Sequence, residues 1–341
     1  MRKVRRFGWR GPTEQTGLAL AGHDPAVRIG PRPSYRIQLM NHNPARGIIY
    51  LCLGVLVFSL QDAIVKQVSG GYALTQVVFI RSCVSVPILL WLVQREEGWR
   101  AIFASRLGAL SVRGVIMLGA YTAYYMAFPA LPLADAVALY FTVPLFVTAL
   151  AGPFLGERSG WWVWAAVLLG FVGVMVMLQP GTGLFEPAAL LSLLSAALYG
   201  SAMLMARRFG TSLSAAVMAF FQNVFFLLGS GLAALLFMWL DVAQSTHPSV
   251  SFLVRPWVAV TLNDGLLMAV CGVVSAVGTV LLTNAYRVAR ASTVTPFEYT
   301  GILWAPLWGF LFFSEVPRAT TVAGAAVIVV AGLLALRASK A

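Results

Sequence analysis

Residues 293–313 read TVTPFEYTGILWAPLWGFLFF, and the reading of this run decides the fold. It is long enough to cross a bilayer, which takes about 20 predominantly apolar residues, yet it carries one carboxylate, Glu298, and two prolines, Pro296 and Pro306. Glu298 lies about seven residues into a span that opens at Ala291, so roughly 10 Å deep at a rise of about 1.5 Å per residue. That is too deep to snorkel to the surface. An ionised carboxylate facing lipid is costly, so the side chain must face a wet cavity, pair with a cation or hold a proton. Each option points into a helix bundle.

The rest of the chain fits that setting. Apolar residues make up 59% of the 341 residues and charged ones 11%, against about 25% charged in a soluble domain. Mean hydropathy is +0.82. An all-α membrane protein is expected, with ten spans at Gly47–Lys66, Ala73–Val93, Leu110–Ala130, Ala134–Leu155, Trp161–Leu178, Ala188–Ala206, Leu213–Leu240, Gly265–Tyr286, Ala291–Phe313 and Thr320–Leu336. Most loops are short. The exception, Asp241–Asp264, holds the segment SFLVRPWVAV, which reads as interfacial.

The net charge of +12 does not indicate nucleic acid, because the basic residues form no patch on a folded domain. Nine of the 24 Lys and Arg residues lie before Ile48, in a tail (1–46) whose Pro, Gly and charge content predicts disorder and contact with anionic lipid. With that tail in the cytoplasm, Arg95, Arg100, Arg106, Arg113, Arg158, Arg207, Arg208, Arg287, Arg290, Arg337 and Lys340 fall on the same side. Only Lys66, Arg255 and Arg318 fall outside, and Arg81 falls within a span. The positive-inside rule then predicts cytoplasmic N- and C-termini.

The chain also repeats itself. Laying Glu157 on Glu315 brings Pro132–Ala136 onto Arg290–Val294 and Ala127 onto Ala285, with Gly173 matching Gly332 one residue further on. The repeats 47–179 and 187–337 hold five spans each, and an odd number inverts the second half. Inverted repeats place a binding site near the midplane where the halves meet.

Several residues are candidates for that site, each with a plainer alternative. Pro144, Pro296 and Pro306 sit inside spans four and nine; proline removes a backbone donor, so a broken helix exposing polar backbone is one outcome and a packed kink the other. Glu298 is a contact for a substrate amine, a proton-coupling site, or an internal hydrogen-bonded anchor. Arg81 lies about 12 Å from the outer face by the same rise and cannot discharge. It needs a ligand carboxylate or a fixed anion, for which Asp62 on span one is the nearest in depth; an internal Asp62–Arg81 ion pair is the alternative. Gln222, Asn223 and Asn284 could ring a polar cavity or form interhelical hydrogen bonds, worth about 0.6 kcal/mol each. Tyr121, Tyr124, Tyr125, Tyr140, Tyr199, Tyr299, Trp304 and Trp308 could wall the cavity or merely pack. Asp135 and Ser292 are expected to cap helix starts, while Glu157 and Glu315 read as structural.

Catalytic chemistry finds little support. No GxxxxGK phosphate loop exists, since none of Lys3, Lys66 and Lys340 follows a glycine. His23, His42 and His247 lie outside the spans and far apart, and Cys52, Cys83 and Cys271 each sit alone in apolar stretches. Neither a metal set nor a nucleophile–base pair can be assembled from them, and no cofactor is expected.

The segments ALYFTVPLFVTALAGPFLGERSGWWVWAAVLLGFVGVMVM (138–177) and ARASTVTPFEYTGILWAPLWGFLFFSEVPRATTVAGAAVIVVAGLLA (289–335) resemble the two EamA-type domains of the drug/metabolite transporter superfamily. The resemblance spans Gly47 to Leu336. It implies secondary transport of small organic metabolites, often export of amino acids across a bacterial inner membrane, through a polar cavity between the halves. Substrates in that superfamily include amino acids, nucleosides, vitamins, S-adenosylmethionine and cationic drugs. Arg81 and Glu298, about 8 Å apart in depth, could bracket a zwitterion, carboxylate to Arg81 and amine to Glu298. The expected function is thus a secondary exporter of amino acids or related metabolites working by alternating access. The alternatives are an uptake carrier for a larger aromatic metabolite such as S-adenosylmethionine or a flavin, and a non-transporting membrane scaffold. Expected partners are a small-molecule substrate and membrane lipid, with coupling protons and a homodimer compatible and no nucleic acid.

Overall fold

A computed structural model describes residues 44–103, 107–143, 145–147, 149–150, 160–179, 186–209, 215–240, 247–288 and 295–338. The described residues are helical with short connections and no strand. In chain order the helices are α1 (Pro44–Val68), α2 (Leu74–Glu96), α3 (Arg100–Phe103), α4 (Leu107–Met126), α5 (Leu133–Tyr140), α6 (Trp161–Leu178), α7 (Ala189–Phe209), α8 (Ala215–Trp239), α9 (Pro248–Val254), α10 (Leu262–Val288), a 3-10 turn (Thr295–Thr300), α11 (Gly301–Phe313) and α12 (Ala319–Ala338). Apart from its last three residues, which open α1, the N-terminal tail lies outside the described residues.

Five helical stretches are long and apolar enough to cross a membrane: Ala45–Val68, Leu74–Glu96, Leu107–Met126, Ala216–Trp239 and Leu262–Leu282. Shorter apolar stretches are Leu133–Val147, Trp164–Leu178, Ala189–Met205 and Ala319–Leu334. The bundle turns apolar side chains outward, as a lipid solvent requires: Leu232 and Leu235 on α8 are exposed, whereas Asn223 on the same helix is buried.

Helix ends explain where the chain turns. Pro44 opens α1, a position where its missing N–H costs no intrahelical bond. The α11 helix closes on Ser314 in the left-handed region, with the Glu315 N–H returning to Gly309 O at 3.0 Å. The first exposed N–H of α5, on Leu133, is capped from a distance by Glu315 Oε2 at 2.9 Å. This corrects the expectation that Asp135 caps α5: Asp135 lies inside the helix and instead accepts from the Thr321 hydroxyl at 2.6 Å, tying α5 to α12. Ser292 and Glu157 lie outside the described residues.

Packing pairs helices distant in sequence. The main contacts are α6 with α12, α1 with α10, α2 with α8 and α4 with α7, followed by α2 with α10, α4 with α8, α5 with both α7 and α11, and α1 with α11. Glycine sets the closest approaches. A β-carbon on Gly173 of α6 would stand 2.8 Å from the Gly324 carbonyl oxygen of α12, and one on Gly272 of α10 would stand 2.5 Å from the Arg81 carbonyl oxygen of α2. Small residues at such crossings let backbones meet where no hydrophobic effect drives association.

The segment that reads as interfacial, SFLVRPWVAV, is fastened to the start of α2 and to the turn before it. Trp257 Nε1 donates to Thr75 Oγ1 at 2.9 Å, Gln76 Nε2 donates to Val258 O at 2.7 Å, and Arg255 Nη1 donates to Gly70 O at 2.6 Å.

Candidate functional site

The α1 helix turns Gln61 and Asp62 toward α4, whose tyrosines recur at helical spacing on the facing side. Asp62 is partly buried and accepts two hydrogen bonds, from Tyr125 to Oδ1 at 2.9 Å and from Tyr124 to Oδ2 at 3.0 Å. Gln61 Nε2 donates to the hydroxyls of Tyr121 (2.6 Å) and Tyr125 (2.8 Å), and the Tyr121 hydroxyl donates to Tyr125 at 3.1 Å. From α2, Arg81 Nη1 donates to the Tyr121 hydroxyl. The direct Asp62–Arg81 ion pair considered from depth is not formed; two tyrosine hydroxyls stand between the charges.

Arg81 is only 1% exposed. Its guanidinium lies 4.2 Å from the Tyr121 ring centre and 5.3 Å from that of Phe226 on α8, cation–π contacts with two rings that pack on each other at 4.9 Å. Its Nε and Nη2 have no hydrogen-bond partner among the described residues. Much of the guanidinium's hydrogen-bonding capacity is therefore unused, although it is shielded from water.

Aromatic rings lead from this cluster toward Glu298. Tyr140 at the end of α5 packs on Tyr124, with ring centres 4.7 Å apart, and on Tyr199 of α7 at 5.6 Å. Glu298, partly buried on the 3-10 turn, lies within electrostatic reach of Tyr140, Tyr199 and Tyr299. The 3-10 turn runs directly into α11 at Thr300–Gly301, where Thr300 keeps helical backbone angles; Pro296 lies in the turn and Pro306 inside α11. Pro144 lies outside the described residues, and α5 closes at Tyr140, four positions before it.

The structure does not gather the other candidates into one network. Gln222 accepts from Arg113 Nη1 at 3.3 Å. Asn223 accepts from Ser85 Oγ at 2.9 Å and donates to Ala219 O at 3.0 Å. The ring of Tyr299 lies against Phe141, and its hydroxyl fills the space a β-carbon on Gly332 would need, without a hydrogen-bond partner among the described residues. Trp304 stacks on Trp308 at 6.3 Å and its Nε1 is likewise unpartnered, whereas Trp308 Nε1 donates to Ser59 Oγ at 2.9 Å. Asn284 lies on α10, but its side chain is outside the described residues.

Two residues escaped the sequence reading. Gln61 looks like an ordinary polar neighbour of Asp62. Arg113 was assigned to the cytoplasmic segments, yet it lies within α4 and is 8% exposed; the available signal was its position inside the expected span Leu110–Ala130.

Charged and hydroxyl-bearing side chains held inside a bundle of bilayer-length helices mark a multi-pass membrane protein with a polar interior, and the comparisons with known proteins make it an inner-membrane carrier of small organic metabolites. The chain belongs to the EamA-like transporter family, whose sequence profile matches it twice, over residues 45–179 and 186–337. It is 34% identical to a pseudopaline exporter of Pseudomonas aeruginosa over 86% of this chain and 97% of that one. It is 24% identical to an S-adenosylmethionine uptake transporter of Rickettsia prowazekii over 86% of this chain and 93% of the relative. A riboflavin transporter of Vibrio cholerae is 27% identical over 85% and 92% of the two chains. A solved crystal structure shares the fold, with a TM-score of 0.58 at 17% identity, over 85% of this chain and 96% of that one.

Proposed function

We propose that the protein exports amino acids or related zwitterionic metabolites by alternating access, using ten spans arranged as two inverted five-helix repeats, 47–179 and 187–337. Both termini, with the basic tail 1–46 resting on anionic lipid, lie in the cytoplasm. Three features support this architecture. The family profile matches the chain twice. Exchanging α1 with α7, α2 with α8, α4 with α10, α5 with α11 and α6 with α12 carries the main helix pairings onto themselves. Finally, the turn and α11, at 6 and 13 residues, rise about 12 Å and about 20 Å, which together match a hydrocarbon core of about 30 Å.

The buried edge of Arg81 carries the functional reading. A guanidinium sealed from water, with Nε and Nη2 unpartnered among the described residues, is suited to a ligand carboxylate, which binds an arginine fork through two charge-assisted hydrogen bonds. Glu298 meets the amine, or carries the coupling proton when no amine is bound. The resemblance to a pseudopaline exporter favours export. A second reading, uptake of a larger aromatic metabolite, draws on the tyrosine array and on relatives named as S-adenosylmethionine and riboflavin transporters. A homodimer is compatible with either reading.

A ligand that binds only the native state raises its melting temperature by mass action. Detergent-purified protein should be stabilised by millimolar amino acids, and Arg81→Gln should remove the shift. Stabilisation by S-adenosylmethionine or riboflavin alone would transfer the assignment to the second reading. No shift with any of them would contradict both.

A further inference from the structure

Lys66 lies in the last turn of α1 and Glu315 just after α11, so their contact joins the first family-matched range to the second. Lys66 Nζ stands 2.6 Å from Glu315 Oε1 and also donates to Leu131 O at 2.7 Å, while Glu315 Oε2 accepts from the Leu133 N–H at 2.9 Å. The two side chains are 10% and 25% exposed, neither sealed nor freely solvated. Asp135 lies within electrostatic reach of Lys66, Glu315 and Arg318, so these four residues form a group with two formal charges of each sign.

The cleft beside the pair, of about 510 Å³, is lined by both charges and by the apolar side chains of Phe128, Leu131, Pro132 and Phe313. That volume falls within the range of about 300–1,000 Å³ typical of small-molecule sites. Lys66 Nζ lies 5.4 Å from the Phe313 ring centre, which sets the cation against an apolar wall.

The two halves cannot part at this end of the bundle unless Nζ leaves Oε1. Separation alone strands two partly buried charges, which is costly. A simple cation in the cleft would compensate only Glu315, and a simple anion only Lys66. A zwitterion compensates both without changing the net charge, and Leu131 O and the Leu133 N–H keep their bonds throughout. We propose that the Lys66–Glu315 pair is a latch that a zwitterion opens by exchange, its carboxylate taking Lys66 and its ammonium taking Glu315. This rests on the reading of the protein as a carrier of zwitterions. It adds a transient contact for them at the end of the bundle that the proposed orientation sets outside, apart from Arg81 and Glu298.

Nitroxide labels at Gln67→Cys and Val316→Cys flank the latch, since Gln67 lines the cleft and Val316 is exposed. Cys52 and Cys83 are replaced by alanine, and Cys271 is buried. In the full chain in nanodiscs, double electron–electron resonance should show saturating leucine moving the population from a short distance to a longer one. Leucinamide, a cation, and 4-methylpentanoate, an anion, each supply one of the two charged contacts, so half-conversion should need about tenfold to a hundredfold more of either. The shift with leucine should persist in Arg81→Gln, because exchange at the latch does not use the central site. Glu315→Gln, which keeps an acceptor for the Leu133 N–H but no charge, should populate the longer distance without solute. Unchanged distances in protein that leucine stabilises thermally would overturn the latch and leave the Arg81 assignment standing. Opening by leucinamide or 4-methylpentanoate at leucine's own concentration would do the same. A shift that vanishes in Arg81→Gln would make opening a consequence of the central site and overturn the exchange. Leucine that neither stabilises the protein nor moves the labels would overturn both. The comparison of the three solutes needs no change at Lys66 or Glu315, so the test holds even if Glu315→Gln does not fold.

Discussion

The Tyr125 hydroxyl accepts hydrogen bonds from Gln61 and Tyr121 and gives its own proton to Asp62. A buried polar network of this kind is stable only when complete, because each member left without a partner bears its full desolvation cost. Tyr125→Phe should therefore lower stability by about 1–3 kcal/mol, the cost of leaving a buried acceptor unmet, and should slow transport. Thermal unfolding in detergent reads the first effect, and an unchanged melting temperature would show that Asp62 is satisfied elsewhere. Asp62 and Arg81 were legible in the sequence, because a charge deep in an apolar run announces itself. Their linkage was not. Depth along a helix gives one coordinate, and the rotation that sets tyrosines between the two charges depends on how α1, α2 and α4 cross. Arg113 was misassigned for a related reason, since its place near the end of an expected span made it resemble a flanking, snorkelling arginine.

Among the elements, α5 and α11 show best what sequence reading catches and what it misses. The prolines of span nine suggest a break, whereas the described backbone is a 3-10 turn carrying Glu298 that continues into α11 through Thr300. The capping of α5 was hidden because the cap comes from Glu315, remote in sequence. Glu315 also pairs with Lys66 Nζ at 2.6 Å, and Lys66 donates to Leu131 O at 2.7 Å. One carboxylate thus joins the ends of α1, α5 and α11 beside a cleft of about 510 Å³. Glu315→Ala should cost about 0.5–2 kcal/mol for the lost cap alone, and more with Lys66 left unpaired. Glu315→Gln should retain part of the cap and fall between the two. Equal melting temperatures for wild type and Glu315→Ala would mean that water serves the Leu133 N–H as well as the carboxylate does.

At the scale of the whole molecule, a low-dielectric solvent explains the sorting of residues. Leucines of α8 face outward, while Asn223, Arg81 and Arg113 are buried. The composition made the membrane setting legible, and the EamA-like family matches the chain over two ranges. On the proposed function, the buried charges meet the transported molecule. The initial rate of labelled amino-acid uptake into everted vesicles tests this most directly, compared among wild type, Arg81→Gln and Glu298→Gln at equal protein levels. Losing one charged contact of about 1.5–3 kcal/mol predicts a fall of tenfold or more for each variant. Wild-type flux in both variants would contradict the account.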